Sequence, residues 1–173
     1  SAASDVYKRQ MPGGLAQIGS ASWVRPEAKG VVLIISPWNY PMQLVFRPLI
    51  AALAAGCTAM IKPSELTGHT AQVVAEIVSA AFESDEVAVV QGGVDTATHM
   101  LNLPFNHIYF TGSPAVGKIV MKAASQHPCS VTLELGGKSP VILDDMRSFR
   151  DAAKKLAWAK LSNAGQILSL IHI

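Results

Sequence analysis

The sequence predicts an α/β protein built on a doubly wound, largely parallel sheet. Short apolar runs rich in β-branched residues alternate with stretches whose apolar residues recur at helical spacing. The run "GVVLIIS" at 30–36 is continuous and apolar, which is typical of a strand buried on both faces. Because this alternation continues without an internal repeat or a linker, we expect a single α/β unit.

The individual elements follow from this pattern and from the prolines and glycines that interrupt it. Strands are predicted at 30–36, 57–63, 86–93, 107–112, 130–137 and 139–145. Helices are predicted at 44–56, 64–83, 95–103, 113–126 and 147–162, with Pro48 near the start of the first or at a kink.

Composition excludes several classes of function. Half of the chain is hydrophobic and 15% is charged, which is typical of a globular protein. A net charge of +2 predicts neither nucleic-acid binding nor binding to an acidic membrane. No apolar run reaches the roughly 18 residues of a spanning helix, and no secretory leader is visible. We therefore expect a cytoplasmic protein.

The cysteines and histidines predict no metal site. Cys57 and Cys129 lie far apart and belong to no CxxC motif, and the five histidines show no HxxxH spacing. We expect two reduced, buried structural thiols, although the sequence alone leaves a single disulfide open.

Both ends of the chain read as one DNA adapter translated in opposite directions. The codons GAT GTG TAT AAG AGA CAG encode "DVYKRQ" at residues 5–10, and their reverse complement encodes "LSLIHI" at residues 168–173. The string resembles the tag that a transposase adds to sequencing libraries. We therefore expect residues 1–10 and 168–173 to be derived from adapter and residues 11–167 to be the natural segment.

Two groups of candidate site residues follow the first two strands, where open α/β sheets bind ligands. Asn39 lies between Trp38 and Tyr40 within a pair of prolines, and its alternative role is to cap backbone in a rigid turn. Lys62 and Glu65 can hydrogen-bond ribose hydroxyls. The structural alternative for this segment is a helix N-cap followed by an acidic first turn.

Two further groups follow the later strands. Gly112, Ser113 and Gly117 flank a helix start that can bind a phosphate, or they serve only capping and close packing. Glu134 lies inside an apolar strand, so we expect it to be buried, with a raised pKa suited to proton transfer. The alternative is a hydrogen-bonded structural carboxylate, and Lys138 is expected only to brace the turn that follows.

Taken together, five motifs resemble the aldehyde dehydrogenase superfamily, and they are most similar to those of its class 3-like branch. In chain order they are "PWNYP", "IKPSE", "FTGSPAVG", "LELGGKSP" and "NAGQ". The resemblance covers essentially all of residues 21–167. It implies the Rossmann-like cofactor domain of that fold, present here in part, and an NAD or NADP cofactor.

The resemblance also implies roles for individual residues. Asn39 matches the asparagine that stabilises an oxyanion, and Glu134 matches the general base that hydrolyses a thioester. Cofactor contacts are implied at Pro37, Trp38, Asn39, Lys62, Glu65, Gly112, Ser113, Gly117 and Leu135. Lys62 and Glu65 match residues on the adenosine ribose, Gly112, Ser113 and Gly117 match the pyrophosphate loop, and Leu135 and Gly136 match backbone near the nicotinamide. The family's nucleophilic cysteine falls at Leu168, the first residue of the expected adapter.

The implied parent protein oxidises an aldehyde to a carboxylic acid through a cysteine thiohemiacetal and a thioester, and it is expected to be a homo-oligomer. The chain as written lacks the nucleophile, so we expect no turnover, and weak or no NAD binding. A non-catalytic dinucleotide-binding module is the alternative. A short-chain dehydrogenase would need a TyrxxxLys pair, but Leu44 stands four residues after Tyr40. The sequence leaves open the aldehyde and the choice between NAD and NADP.

Overall fold

The computed structural model describes residues 9–11, 18–144 and 148–167. Near the N-terminus, strand β1 (Arg9–Met11) pairs antiparallel with β2 (Ser22–Val24) in a small separate sheet. Arg9 and Gln10 belong to the segment that we assign to adapter, and the domain boundaries at residues 11 and 167 stay a prediction.

The centre of the protein is a five-stranded sheet. Its strands are β3 (Val31–Ile35), β4 (Thr58–Lys62), β5 (Val87–Val89), β6 (His107–Gly112) and β7 (Ser130–Leu135). They lie in the order β5-β4-β3-β6-β7, and every neighbouring pair is parallel. The predicted parallel α/β fold is therefore confirmed.

In the described part of the chain, five α-helices accompany the sheet. They are α1 (Gln43–Ala54), α2 (Gly68–Ala81), α3 (Val94–Leu101), α4 (Pro114–Ala124) and α5 (Phe149–Leu161). Short 3-10 helices cover Glu65–Thr67 and Ser162–Gly165. Polar side chains begin two of the helices: the Ser113 hydroxyl accepts the Val116 N–H, and the Ser148 hydroxyl accepts the Asp151 N–H.

The helices cover both faces of the sheet and create two separate cores. Successive residues of β3 point to opposite faces, so Ile34 packs with Val45 and Leu49 of α1. Leu33 points to the opposite face and belongs to the second core, together with Val120 of α4. Both faces of β3 are thus buried, as the continuous apolar run predicts.

Four details of the predicted elements are wrong. Residues 139–144 form no strand, and Val141, Ile142 and Leu143 are exposed. A sequence with β propensity forms a strand only when a neighbouring strand pairs with it. None of the described strands pairs with residues 139–144. The strand predicted at 86–93 shortens to Val87–Val89, and the strand predicted at 130–137 ends at Leu135. Pro48, predicted near the start of its helix or at a kink, lies in the interior of α1. There it removes one N–H from the helical hydrogen-bond ladder.

The cysteines are both free, with Cys57 buried in the core and Cys129 half-buried. Burial raises the pKa of the Cys129 thiol. Within the described part of the chain, the helices are too short or too polar to cross a membrane.

Candidate active site

The predicted site residues gather at one edge of the sheet. Neighbouring parallel strands end at the same edge, and β4, β3, β6 and β7 are consecutive neighbours. Asn39 follows β3, Lys62 ends β4, Ser113 follows β6, and Glu134 lies next to the end of β7. This is the edge at which open α/β sheets bind ligands.

A cavity of about 680 Å³ lies on the α1 face of this edge. Asn39, Glu134 and Ile167 all line it. Helix α1 contributes Gln43, Leu44, Arg47, Pro48 and Ala51, strand β6 contributes Tyr109 and Thr111, and Tyr40 completes the wall. The structure therefore brings together the two predicted catalytic side chains with the last residue before position 168. Position 168 itself lies outside the described residues.

Asn39 is held by the loop that precedes position 168. Its side-chain amide donates to the carbonyl oxygen of Gln166 across 2.8 Å. In return, the side-chain amide of Asn163 donates to the carbonyl oxygen of Asn39 across 2.9 Å. Asn39 is only half-buried, so it remains accessible from the cavity. The predicted alternative, an asparagine that caps its own turn, does not describe these contacts with a distant loop.

Glu134 is exposed, so the predicted burial of this carboxylate is wrong. The reason is its strand: β7 is the last strand of the sheet, and among the described residues it pairs with β6 alone. Glu134 pairs in register with Thr111 of β6, and both side chains line the cavity. A position within an apolar run does not reveal whether its strand lies at the centre or at the edge.

Strand β6 adds two polar side chains, Tyr109 and Thr111, to a lining that is mostly apolar. Burial raises the pKa of the Tyr109 phenol and the Glu134 carboxylate raises it further, while Arg47 opposes them. The Thr111 hydroxyl is buried and has no hydrogen-bond partner among the described residues. The same holds for the hydroxyl of Ser36, at the end of β3. Buried hydroxyls are seldom left unpaired, so these unsatisfied hydroxyls are unusual.

Lys62 and Glu65 form an ion pair beside the cavity. The Lys62 ammonium donates to a Glu65 carboxylate oxygen across 2.6 Å. Only 5% of the Lys62 side chain is exposed, against 42% of the Glu65 side chain. This hydrogen bond lowers the pKa of Glu65 below its usual 4.5. The Ser64 hydroxyl caps the short 3-10 helix by accepting the Leu66 N–H, so the predicted capping alternative also holds.

The glycine-rich segment lies at the start of α4, on the opposite face of the sheet. Residues 113–116 are exposed at the helix N-terminus, where the first N–H groups lack helical partners. Gly117 is buried, and a Cβ atom there would lie 2.8 Å from a methyl carbon of Leu135. The close packing predicted as an alternative for Gly117 is thus present, beside an open helix N-terminus.

The remaining predicted residues are Pro37 and Trp38, which follow β3; Pro37 is half-buried and Trp38 is exposed. Neither they nor Lys62, Glu65, Gly112, Ser113, Gly117 and Leu135 line the cavity in the described chain. Alternation along β7 explains part of this separation, because Glu134 and Leu135 point to opposite faces.

Sequence reasoning missed several residues of the cavity. Tyr109 and Thr111 carry a readable signal, because "HIYFTG" alternates polar and apolar residues and so predicts one polar face. Arg47 is the one charge in a helix of apolar and neutral residues. Asn163 lies in a motif that the resemblance includes without a role for this residue.

A second polar cluster lies at the other end of β6 and β7. His107 contacts the hydroxyls of Ser130 at 2.7 Å and Thr132 at 3.0 Å. The Lys29 ammonium donates to the Ser130 hydroxyl across 2.7 Å. Burial, followed by the charge of Lys29, lowers the pKa of His107 below its usual 6.5. These groups hydrogen-bond one another and so connect β7 to β6.

The fold and the site define an α/β protein whose chemistry lies at the carboxyl edge of an open parallel sheet. Within that class, the chain belongs to the aldehyde dehydrogenase family, whose sequence model matches residues 1–171.

Individual relatives agree with this assignment. AldX of Bacillus subtilis (strain 168) is 54% identical over 140 residues, which are 81% of this chain and 32% of the relative. Aldehyde dehydrogenase family 3 member A2 of Mus musculus is 48% identical over 145 residues, covering 84% and 30%. The solved structure of Staphylococcus aureus AldH in a substrate-bound state superposes with a TM-score of 0.90 at 44% identity, covering 93% and 35%. The chain thus spans about a third of the length of these relatives, and the class 3-like resemblance is confirmed.

Among the relatives similar to this chain, some are associated with NAD⁺ and others with NADP. A Mycobacterium tuberculosis aldehyde dehydrogenase solved in complex with NAD⁺ has a TM-score of 0.83 and 34% identity, covering 94% of this chain and 33% of its own. A Rattus norvegicus relative named as the dimeric NADP-preferring aldehyde dehydrogenase is 45% identical over 144 residues, covering 83% and 32%. The family therefore includes NAD-dependent and NADP-dependent members.

Proposed function

We propose that this chain is part of an enzyme that oxidises an aldehyde to a carboxylic acid with NAD(P). In this proposal the chain supplies the residues that bind the cofactor and two of the catalytic groups. The observation that carries the proposal is the shared cavity of Asn39, Glu134 and Ile167. These residues come from three separate parts of the chain. The fold alone brings them together. Ile167 directly precedes position 168, where the family has its nucleophile.

The proposed reaction assigns each group a step. A cysteine thiolate at position 168 of the parent protein adds to the aldehyde carbon, and the Asn39 amide stabilises the resulting oxyanion. After oxidation to the thioester, the Glu134 carboxylate takes a proton from the water that releases the acid. The exposed position of Glu134 supports this role, because water reaches it from the cavity.

The residues outside the cavity fit a dinucleotide. The half-exposed Glu65 carboxylate, fixed by Lys62, can accept ribose hydroxyls, and the open N-terminus of α4 can bind a pyrophosphate. Trp38 and Pro37 lie at the same edge of the sheet, as does Leu135. When bound, NAD(P) accepts the hydride of the substrate. Glu65 disfavours a 2′-phosphate by charge repulsion, although family members use both cofactors.

The chain as written is proposed to be inactive because position 168 holds leucine. Cys57 and Cys129 do not line the described cavity. A cytoplasmic setting and a homo-oligomeric parent belong to the same proposal. The two free thiols support the first, and the word "dimeric" in the name of the rat relative supports the second.

The test joins this segment to a complete relative. Residues 21–167 replace the matching part of Bacillus subtilis AldX, which keeps its own residues elsewhere. We expect aldehyde-dependent formation of NAD(P)H from the hybrid and none from the 173-residue chain. In the hybrid, Asn39→Ala should lower kcat about 100-fold or more, the range for loss of one oxyanion donor. Glu134→Gln should allow one burst of NAD(P)H and then stop.

The matched control is Glu76→Gln, an equivalent change on the exposed face of α2. A folded hybrid that forms no NAD(P)H would contradict the proposal, as would full turnover by the Glu134→Gln variant. The alternative, a dinucleotide-binding module without catalysis, predicts tight and saturable NAD⁺ binding by the 173-residue chain in calorimetry. We expect weak or no binding there.

A further inference from the structure

The loop before position 168 has an unusual backbone. Asn163, Ala164 and Gly165 are three consecutive residues with positive φ, at 49°, 54° and 76°. Glycine adopts this left-handed conformation freely and asparagine tolerates it, but for Ala164 it is unfavourable. A non-glycine residue in this region persists only when surrounding contacts hold it.

The contacts that hold this loop lead to Asn39. Asn163 donates its side-chain amide to the Asn39 carbonyl, and Asn39 donates its own amide to the Gln166 carbonyl. Within the loop, the Gln166 N–H donates to the Asn163 carbonyl across 3.0 Å. Asn163 and Ala164 are exposed, so burial of apolar surface does not explain the conformation. What the loop gains is a fixed position relative to Asn39.

The hydrogen bond to Gln166 also fixes the direction of the Asn39 amide. An asparagine amide carries two N–H groups, and the Gln166 carbonyl accepts from one of them. The acceptor prevents the amide from rotating by half a turn, which would place its oxygen against another carbonyl oxygen. The amide keeps a second N–H, and Asn39 lines the cavity.

We propose that Asn163 is a positioning residue for the reaction: it fixes the Asn39 backbone against the loop of residues 163–167 and so holds the Asn39 amide in place. This inference rests on the proposed function. Asn163 touches neither substrate nor cofactor in the proposal. It acts through Asn39, whose remaining N–H is preorganised to meet an oxyanion.

The geometry can be tested on the 173-residue chain by nuclear magnetic resonance. The Asn39 side-chain amide should give two separate proton signals that exchange slowly with water. Asn163→Asp keeps the size of the side chain but cannot donate to the Asn39 carbonyl. It should shift the Asn39 signals and accelerate their exchange. The matched control is Ser162→Ala, which also removes one side-chain hydrogen bond to backbone, at 2.8 Å to Trp158.

The role is tested by kinetics in the AldX hybrid. Asn163→Asp should lower kcat about 10-fold while KM for the aldehyde and the cofactor changes less than about twofold, as expected for a group that acts only in the transition state. In an Asn39→Ala background the same change should have no further effect on kcat, because Asn163 is proposed to act only through the Asn39 amide, which that background lacks. Ser162→Ala should leave kcat unchanged.

Each outcome decides the proposal. Loss of kcat that depends on Asn39, together with the shifted amide signals, supports it. An unchanged kcat, or an equal loss in the Asn39→Ala background, overturns it while the proposed function stands. If the folded hybrid with the unaltered segment forms no NAD(P)H, the proposed function fails and takes this inference with it. If Asn163→Asp leaves the Asn39 signals unshifted, the clamp itself is absent.

Discussion

At the scale of single residues, Lys62 and Glu65 show how a buried charge is satisfied from the protein surface. An ammonium that is almost fully buried needs a partner, and Glu65 provides it from a position open to solvent. One carboxylate oxygen thus accepts from the Lys62 ammonium, and the rest of the Glu65 side chain is partly exposed to solvent. The cofactor contact proposed for this pair uses an arrangement that the fold already requires.

Glu65→Leu is expected to destabilise the chain by about 1–3 kcal/mol, because it leaves the Lys62 ammonium buried without its acceptor. The loss should stay below the roughly 3–5 kcal/mol of a fully buried pair, since water screens the exposed side of Glu65. Urea unfolding at neutral pH measures it. Glu76→Leu is the control, because Glu76 is exposed and accepts a hydrogen bond from the neutral side chain of Gln72. Equal losses for the two variants would contradict the role of Lys62.

Acid should produce the same loss in the unaltered chain. The pKa of Glu65 is lower in the folded protein than its usual 4.5, so the unfolded chain binds the proton first. The stability that Glu65 contributes is therefore complete above about pH 4.5 and is lost as the pH falls through the lower folded value. Unfolding free energies of the native chain and Glu65→Gln, measured from pH 6 to 3, should converge at the acid end.

Tyr109 offers a direct test of the charges in the cavity. Burial and the Glu134 carboxylate raise the pKa of its phenol, and Arg47 lowers it. Glu134→Gln should therefore lower the pKa of Tyr109, and Arg47→Gln should raise it. Phenolate absorbance during an alkaline titration measures both shifts, and Tyr109→Phe identifies the transition. If neither substitution moves that transition, Glu134 and Arg47 do not share the cavity with Tyr109.

At the scale of elements, β7 depends on close packing against α4. Gly117→Leu should cost about 1–3 kcal/mol through crowding against Leu135. Gly117→Ala should be nearly neutral, because its smaller clash is offset by the roughly 0.5–1 kcal/mol that alanine gains over glycine in a helix. In the Leu135→Ala background the cost of Gly117→Leu should fall, as urea unfolding of the double-mutant cycle would show.

Gly68, the first residue of α2, is the matched control for this cycle. A Cβ atom there meets nothing within 4 Å, so Gly68→Leu should be tolerated. A cost of Gly117→Leu that persists unchanged without the Leu135 side chain would show that the strain lies elsewhere.

Elements were more predictable than their positions in the sheet. Apolar runs and proline or glycine breaks are local properties, and they located all five strands of the central sheet. Whether a strand is central or at an edge depends on pairing between distant parts of the chain. This is why Glu134 was expected to be buried and why 139–144 was expected to pair. Likewise, Asn39 and Glu134 could be nominated from motifs, but the contacts of Asn39 with Asn163 and Gln166 arise only from the tertiary fold.

At the scale of the whole molecule, the described chain exposes large apolar side chains. Trp158 and Leu161 lie three residues apart on α5 and are 77% and 71% exposed. Exposed apolar surface of this kind favours association. Replacing both with lysine should reduce self-association in sedimentation experiments. Ala157→Lys adds charge at an exposed neighbour without removing a large apolar side chain, and it should have less effect.

The strand order also has a consequence for the sequence of folding events. β3 pairs with β4, and only α1 separates these two strands in the sequence. In contrast, the Val31 N–H donates to the side chain of Asn106, which is 75 positions away. Pairings between distant positions carry a larger loop-closure entropy and slow the folding of a chain. The cavity extends from α1, beside β3, to β6 and β7, and so lies across this late pairing. We therefore expect the pocket to be completed last during folding and to open first in partial unfolding.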